Sequence, residues 1–156
     1  MPLHCLVRDG EIEEISKCAK SRKDLELKDN WGKTALFWAL DKEKYQIVNN
    51  LLALKADPNT KDEDGKTIFY RAIELEKYDI ASVLLEYGAD INKLSGDQYP
   101  ETALHFCVMQ NRLKCVQYLL VHGANKHLKD SFGYTIFDRV KMHKHISKEI
   151  DEVLKK

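Results

Sequence analysis

Read for its hydrophobic and polar positions, the chain returns again and again to one pattern. Four segments open with threonine and run into a short apolar stretch: Thr34-Ala35-Leu36-Phe37, Thr67-Ile68-Phe69-Tyr70, Thr102-Ala103-Leu104-His105 and Thr135-Ile136-Phe137-Asp138. The threonines stand 33, 35 and 33 residues apart, and a partial copy at Pro2-Leu3-His4 lies 33 residues before Leu36. A second stretch follows with apolar residues at helical spacing, as in Ile47, Val48, Leu51 and Leu52, or Ile80, Val83 and Leu84. Leucine pairs recur in phase at Leu51-Leu52, Leu84-Leu85 and Leu119-Leu120. After them come Lys55-Ala56-Asp57-Pro58-Asn59, Gly88-Ala89-Asp90-Ile91-Asn92 and Gly123-Ala124-Asn125. Asp29-Asn30-Trp31-Gly32, Asp62-Glu63-Asp64-Gly65 and Asp130-Ser131-Phe132-Gly133 hold the remaining phase.

Each part of the unit has a mechanical reason. Threonine caps the first helix by accepting a bond from an otherwise unpaired backbone N–H. The small residue at Ala39, Ala72 or Cys107 lets that helix pack closely. Gly88 and Gly123 supply the left-handed residue that ends the second helix. The Asp-x-x-Gly run then makes a tight turn into the next unit. No single unit covers both helices, so stability must come from stacking.

These motifs resemble the ankyrin repeat family, whose T-P-L-H-x-A signature and 33-residue period they share over essentially the whole chain. The resemblance implies an all-α ankyrin-repeat solenoid of helix–turn–helix units with β-hairpin or turn fingers. About five repeats are expected in one domain spanning 1–156, at 1–28, 29–61, 62–96, 97–129 and 130–156, the two end repeats being degenerate caps. The chain departs from the pattern in places. The signature proline survives only as Pro2, and the glycine between the helices only as Gly10, replaced by Glu43, Glu76 and Asn111. The third-to-fourth junction is two residues longer, and Pro100 replaces the turn glycine.

The ends read as caps. Pro2 suits a first helical position, and Cys18-Ala19 stands where the first repeat's leucines belong. The last repeat finishes on Ile146, Ile150, Val153 and Leu154, with Ser147 as N-cap and Lys155-Lys156 beside the negative end of the helix dipole. A chain capped at both ends is expected to be a complete folded unit.

Composition narrows the function. The 156 residues are 44% hydrophobic and 32% charged, enough for a core and unlike a disordered segment. Twenty-five basic residues balance 25 acidic ones, which argues against a uniformly basic nucleic-acid binder. That balance is a sum over zones: +1 over residues 1–56, −6 over 57–101 and +5 over 102–156. The longest apolar run, Ala35–Leu40, is far too short to span a membrane. Arg8 and Asp9 break the apolar segment that a signal peptide needs. HExxH, GxSxG, P-loop and GxGxxG sequences are all missing, and no nucleophile–base set can be assembled. No enzyme, cofactor or metal is expected. The cysteines Cys5, Cys18, Cys107 and Cys115 form no CxxC pair and read as reduced thiols, the latter two buried.

The resemblance places partner contacts after each turn aspartate and at each first-helix end. Those positions give Trp31, Lys33 and Asp41; Asp64, Lys66 and Glu74; Tyr99, Glu101 and Met109; and Phe132 and Tyr134, with Arg8 and Asp9 as first-repeat counterparts. Trp31, Tyr99 and Phe132 are equivalent finger positions, and loop aromatics either form binding hot spots or clamp neighbouring fingers. Glu63, Asp64, Glu74 and Glu101 favour a partner carrying Lys or Arg. His105, matched by His4, is expected to brace the turn by hydrogen bonding, not to catalyse. His143 and His145 are expected to point to different sides of a helix. A zinc site of His4, Cys5 and Cys18 is a remaining alternative for these side chains. Leu84–Asn92 resembles the family's asparagine-hydroxylation acceptor, with a loop asparagine bonding its own backbone as the plainer role.

The expected function is a non-enzymatic protein–protein interaction module, an adaptor, scaffold or inhibitor, monomeric and cytoplasmic or nucleocytoplasmic. Its partner is another protein, not nucleic acid or a membrane interior. The alternative is the recognition arm of a larger assembly, such as a ubiquitin ligase or a microbial effector in a host cytosol. A further alternative is an anionic ligand or lipid held by Arg112, Lys114, Lys126, His127 and Lys129.

Overall fold

Short helices arise here because the chain supplies stop signals as regularly as starts. The structure, a computed structural model, describes residues 3–10, 12–19 and 21–156, with the backbone alone for His4, Arg8, Asp9 and Ser16. Among the described residues there are 11 helices and no strand. They fall into two compact units, Met1–Ala89 and Asp90–Lys156.

The first unit contains α1 (Leu3–Asp9), α2 (Ile12–Cys18), α3 (Arg22–Leu25), α4 (Ala35–Asp41), α5 (Tyr45–Ala53), α6 (Ile68–Glu74) and α7 (Tyr78–Glu86). Helices pack in consecutive pairs, α1 on α2, α4 on α5 and α6 on α7. First helices also pack on first helices (α1 on α4 and α4 on α6), and second helices on second helices (α2 on α5 and α5 on α7). The second unit repeats the scheme. It contains α8 (Ala103–Met109), α9 (Leu113–Val121), α10 (Ile136–Met142) and α11 (Lys148–Lys155). There α8 packs on α9 and α10, and α11 on α9 and α10.

Starts and stops follow the sequence closely. Thr67, Thr102 and Thr135 accept from the N–H groups of Tyr70, His105 and Asp138 at 3.2–3.3 Å. Thr34 takes the same extended backbone but makes no cap bond, and its buried hydroxyl has no hydrogen-bond partner among the described residues. Helices α4 to α9 each end in a paired return of backbone bonds. Glu43 N donates to Leu40 O and Lys44 N to Ala39 O, both at 2.9 Å. Gly88 N donates to Leu85 O and Ala89 N to Leu84 O. This Schellman closure needs a left-handed residue. It explains the recurrent Gly-Ala, whose alanine N–H returns to the helix.

Glu43, Glu76 and Asn111 adopt φ of 53°, 58° and 54°, where a side chain costs about 1 kcal/mol. Two of them use that side chain on the next repeat. Glu43 pairs with Lys77 at 2.6 Å, and Asn111 Oδ1 accepts from Ser147 N at 2.8 Å.

The core forms from the expected faces: Leu36, Leu40, Val48, Leu51, Phe69, Ile73 and Leu84 in the first unit, and Leu104, Val108, Val116 and Leu119 in the second. Ala39, Ala72 and Cys107 are wholly inaccessible, as close packing of the first helices requires. In the C-terminal repeat, Ser147 caps α11 and Ile150 and Leu154 are buried. Pro2 lies outside the described residues. The sequence reading did not foresee α3, a single turn closed by a capping box between Ser21 and Asp24.

Two expectations are corrected. Cys107 and Cys115, both fully buried, are joined as a disulfide rather than standing as separate thiols. Antiparallel packing of α8 and α9 brings their Cα atoms to 5.8 Å, inside the usual disulfide range. His143 and His145 do not sit on a helix. Helix α10 stops at Met142, His143 is extended, and the two rings lie 5.5 Å apart.

Candidate functional site

Three of the fingers before the first helices are each fixed by one aspartate side chain. Asp29 Oδ1 accepts from Trp31 N at 2.9 Å and Lys33 N at 3.0 Å, while its Oδ2 takes Trp38 Nε1 at 2.6 Å. Asp62 does the same with the N–H groups of Asp64 and Lys66 and with Arg71 Nε at 2.6 Å. Asp130 holds the N–H groups of Phe132 and Tyr134 and takes Arg139 Nε at 2.7 Å. One oxygen therefore shapes the turn and the other ties it to the helix. Sequence reasoning found the turn aspartates but missed their donors. The signal was there, an aspartate followed nine residues later by Trp38, Arg71 or Arg139.

The fourth repeat lacks this tie because Phe106 occupies the donor position. Its longer finger closes through backbone bonds between Ser95 and Glu101, at 2.9 and 3.1 Å. Ser131 N then donates to Pro100 O at 2.9 Å, joining this finger to the last one.

In residues 1–89 the anticipated contact residues come together as a charged groove. Lys33 pairs with Asp41, and Lys66 with Glu74 at 2.9 Å. Arg71 joins Asp62, Asp64 and Glu74 at once. Burial disfavours the Arg71 charge, but hydrogen bonds to Asp62 and Glu74 outweigh it and hold the guanidinium firmly protonated. Burial raises the Glu74 pKa, yet Lys66 and Arg71 bring it below the usual carboxylate value. Trp31 packs edge-on against Trp38 with centroids 6.1 Å apart, and remains 60% exposed.

In residues 90–156, Tyr99 and Phe132 stack with centroids 5.4 Å apart, and Arg139 lies 5.3 Å from Phe132 and 5.1 Å from Tyr134. Tyr99 and Phe132 are still 65% and 57% exposed. The finger aromatics are thus held by neighbours while presenting open surface. Burial raises the Asp130 pKa, but the Arg139 bond and the N–H groups of Tyr134 and Phe132 bring it below normal. Met109 is half-buried, its carbonyl 3.0 Å from His145 Nε2, and Glu101 contributes the backbone bridge to Ser95.

His105 braces the turn: Nδ1 lies 2.8 Å from Thr102 Oγ1 and Nε2 3.1 Å from Tyr134 O. Burial depresses its pKa, which keeps the ring neutral near pH 7. The side chains of His4, Arg8 and Asp9 lie outside the described residues. Cys5 and Cys18 are part-buried and not disulfide-bonded. Among the described residues no group of three or more His, Cys, Asp or Glu is arranged to hold a metal ion. Asn92 Oδ1 accepts from Asn125 N at 2.8 Å, and Asn92 N donates to Asp90. Of the basic set, Lys126 donates to Leu154 O and Arg112 lies over the Phe106 ring. No described helix is long and apolar enough to cross a membrane.

Comparison with protein families matches residues 42–130 to ankyrin repeats in three copies. Comparison with curated proteins gives no match.

Proposed function

The chain belongs to the ankyrin repeat family, and from that premise we propose that it is a non-enzymatic module that binds a partner protein through its fingers and first-helix ends. The module serves as an adaptor, scaffold or inhibitor. One observation carries the reading: Trp31, Tyr99 and Phe132, at equivalent finger positions, are each more than half exposed on turns already fixed by hydrogen bonds. Large rigid aromatics on a pre-formed surface lose little entropy on binding and dominate interface energies. Trp31, Lys33, Asp41, Asp64, Lys66 and Glu74 form one contact area, and Tyr99, Glu101, Met109, Phe132 and Tyr134 another.

The test replaces Trp31, Tyr99 and Phe132 together with alanine and measures affinity for a partner captured by the native chain. Affinity is expected to fall by roughly 100-fold or more, since one hot-spot aromatic is worth about 2 kcal/mol or more and such losses do not simply add. Far-ultraviolet circular dichroism should stay unchanged. Full affinity in a folded triple variant rules the fingers out as the contact surface.

A further inference from the structure

The groove between the second and third fingers has a shape and a charge that suit one kind of side chain. Its volume is about 260 Å³, below the roughly 300–1,000 Å³ of pockets that enclose small molecules. Apolar residues Trp31, Phe37 and Leu75 line it together with the acidic residues Asp41, Glu63, Asp64 and Glu74. Phe37 is 1% exposed and forms the floor, whereas Trp31 and Leu75 stand open at the mouth.

The internal cations do not neutralise these acids. Five carboxylates line the groove, counting Asp62, against Lys33 and Arg71, with Lys66 reaching Glu74 beside them. Arg71 alone is divided among Asp62, Asp64 and Glu74. Glu63 is exposed and forms no ion pair among the described residues. Its backbone is closely set nonetheless. A Cβ built on Gly32, beside Trp31, would lie 3.0 Å from Glu63 Cβ, so the two fingers touch at that point. Trp31 and Glu63 therefore line one groove whose two walls are set by a close backbone approach.

We infer that this groove binds an arginine side chain carried on an extended segment of the partner protein. The inference rests on the reading of the fingers as the partner surface and specifies its chemistry. An arginine lays an aliphatic stem on apolar surface, here Leu75, and keeps its charged head at the rim. The planar guanidinium stacks on an indole and forks onto carboxylate oxygens, which an ammonium group does less well. Trp31 and Glu63, with Asp64 beside them, provide that pair of partners.

The experiment selects binders of the full chain from a random dodecapeptide phage library and measures each selected peptide by fluorescence anisotropy. The expected result is a recurrent arginine at one fixed position. Affinity should fall on the order of tenfold when it is replaced by the isosteric, neutral citrulline, and by a similar factor in Glu63→Gln. Trp31→Ala should also weaken binding, while Lys114→Ala, distant in sequence, should not. Glu63 is exposed, so its substitution leaves the core intact, and unchanged circular dichroism verifies this. Peptides that need Trp31 but ignore both their own charge and Glu63→Gln overturn the inference and leave the finger surface standing. Peptides indifferent to every finger substitution overturn both.

Discussion

Phe69→Ala should lower unfolding stability by about 3–5 kcal/mol, the cost of removing a buried phenyl ring and leaving its cavity. Phe69 is 2% exposed and stands on α6, which packs on both α4 and α7. It occupies the position that Leu36 and Leu104 hold in neighbouring repeats. In a repeat array each unit is stabilised chiefly by its neighbours. A cavity here weakens the α6–α7 pair and its α4 contact together. At this chain length the melting temperature should fall by about 6–20 °C. Urea denaturation followed by circular dichroism gives the free energy. Phe69→Leu, which keeps most of the volume and restores the leucine of the two flanking repeats, should cost less than about 1.5 kcal/mol. Equal losses for both variants contradict a packing role.

Arg71→Ala is the second large effect expected, about 2–4 kcal/mol, because it strands carboxylates that this arginine alone gathers. Asp62 is the critical one: its side chain is 4% exposed, and it keeps only the N–H groups of Asp64 and Lys66 once the guanidinium is gone. Asp64 then repels it with no shared cation between them, and Glu74 keeps Lys66. The effect should depend on pH with a definite sign. The Glu74 pKa is lowered in the folded chain, so its stabilising contribution is present above the unfolded value and lost as pH falls through the lowered one. The gap between native and Arg71→Ala stability should therefore be widest near neutrality and shrink on acidification below about pH 4. Arg71→Lys retains the charge but not three separate N–H contacts, and should recover only part of the loss. A gap independent of pH contradicts the electrostatic account.

Much of this architecture was legible in the sequence because repetition multiplies weak signals. Thr67, Thr102 and Thr135 cap their helices, Gly88 and Gly123 close theirs, and the small residues Ala39, Ala72 and Cys107 are inaccessible. Less legible were features that depend on a side chain's reach. The second oxygen of Asp29, Asp62 or Asp130 finds a donor nine residues on, and the chemical change from Trp38 to Arg71 to Arg139 hides the common role. Glu43, Glu76 and Asn111 look like simple losses of glycine. Yet Glu43 and Asn111 carry side chains that tie one repeat to the next despite a left-handed backbone. The Cys107–Cys115 bond was hidden because a separation of 8 residues reveals nothing until the helix hairpin closes.

The finger residues themselves were nameable from phase alone, but not how they cluster. Whether a loop aromatic clamps or binds could not be read from the chain. The geometry gives Tyr99 and Phe132 both a stacking partner and open area. The groove beside Trp31 depends on the close approach of Gly32 to Glu63, which only the folded fingers define.

The most direct measurement is hydrogen–deuterium exchange of the full chain, free and saturated with a captured partner protein. Exchange should slow at residues 29–33, 62–66, 95–101 and 130–134 and at the ends of α4 and α6, with little change along α5, α7 and α9. Protection confined to α5, α7 and α9, with the fingers unchanged, contradicts binding through the fingers.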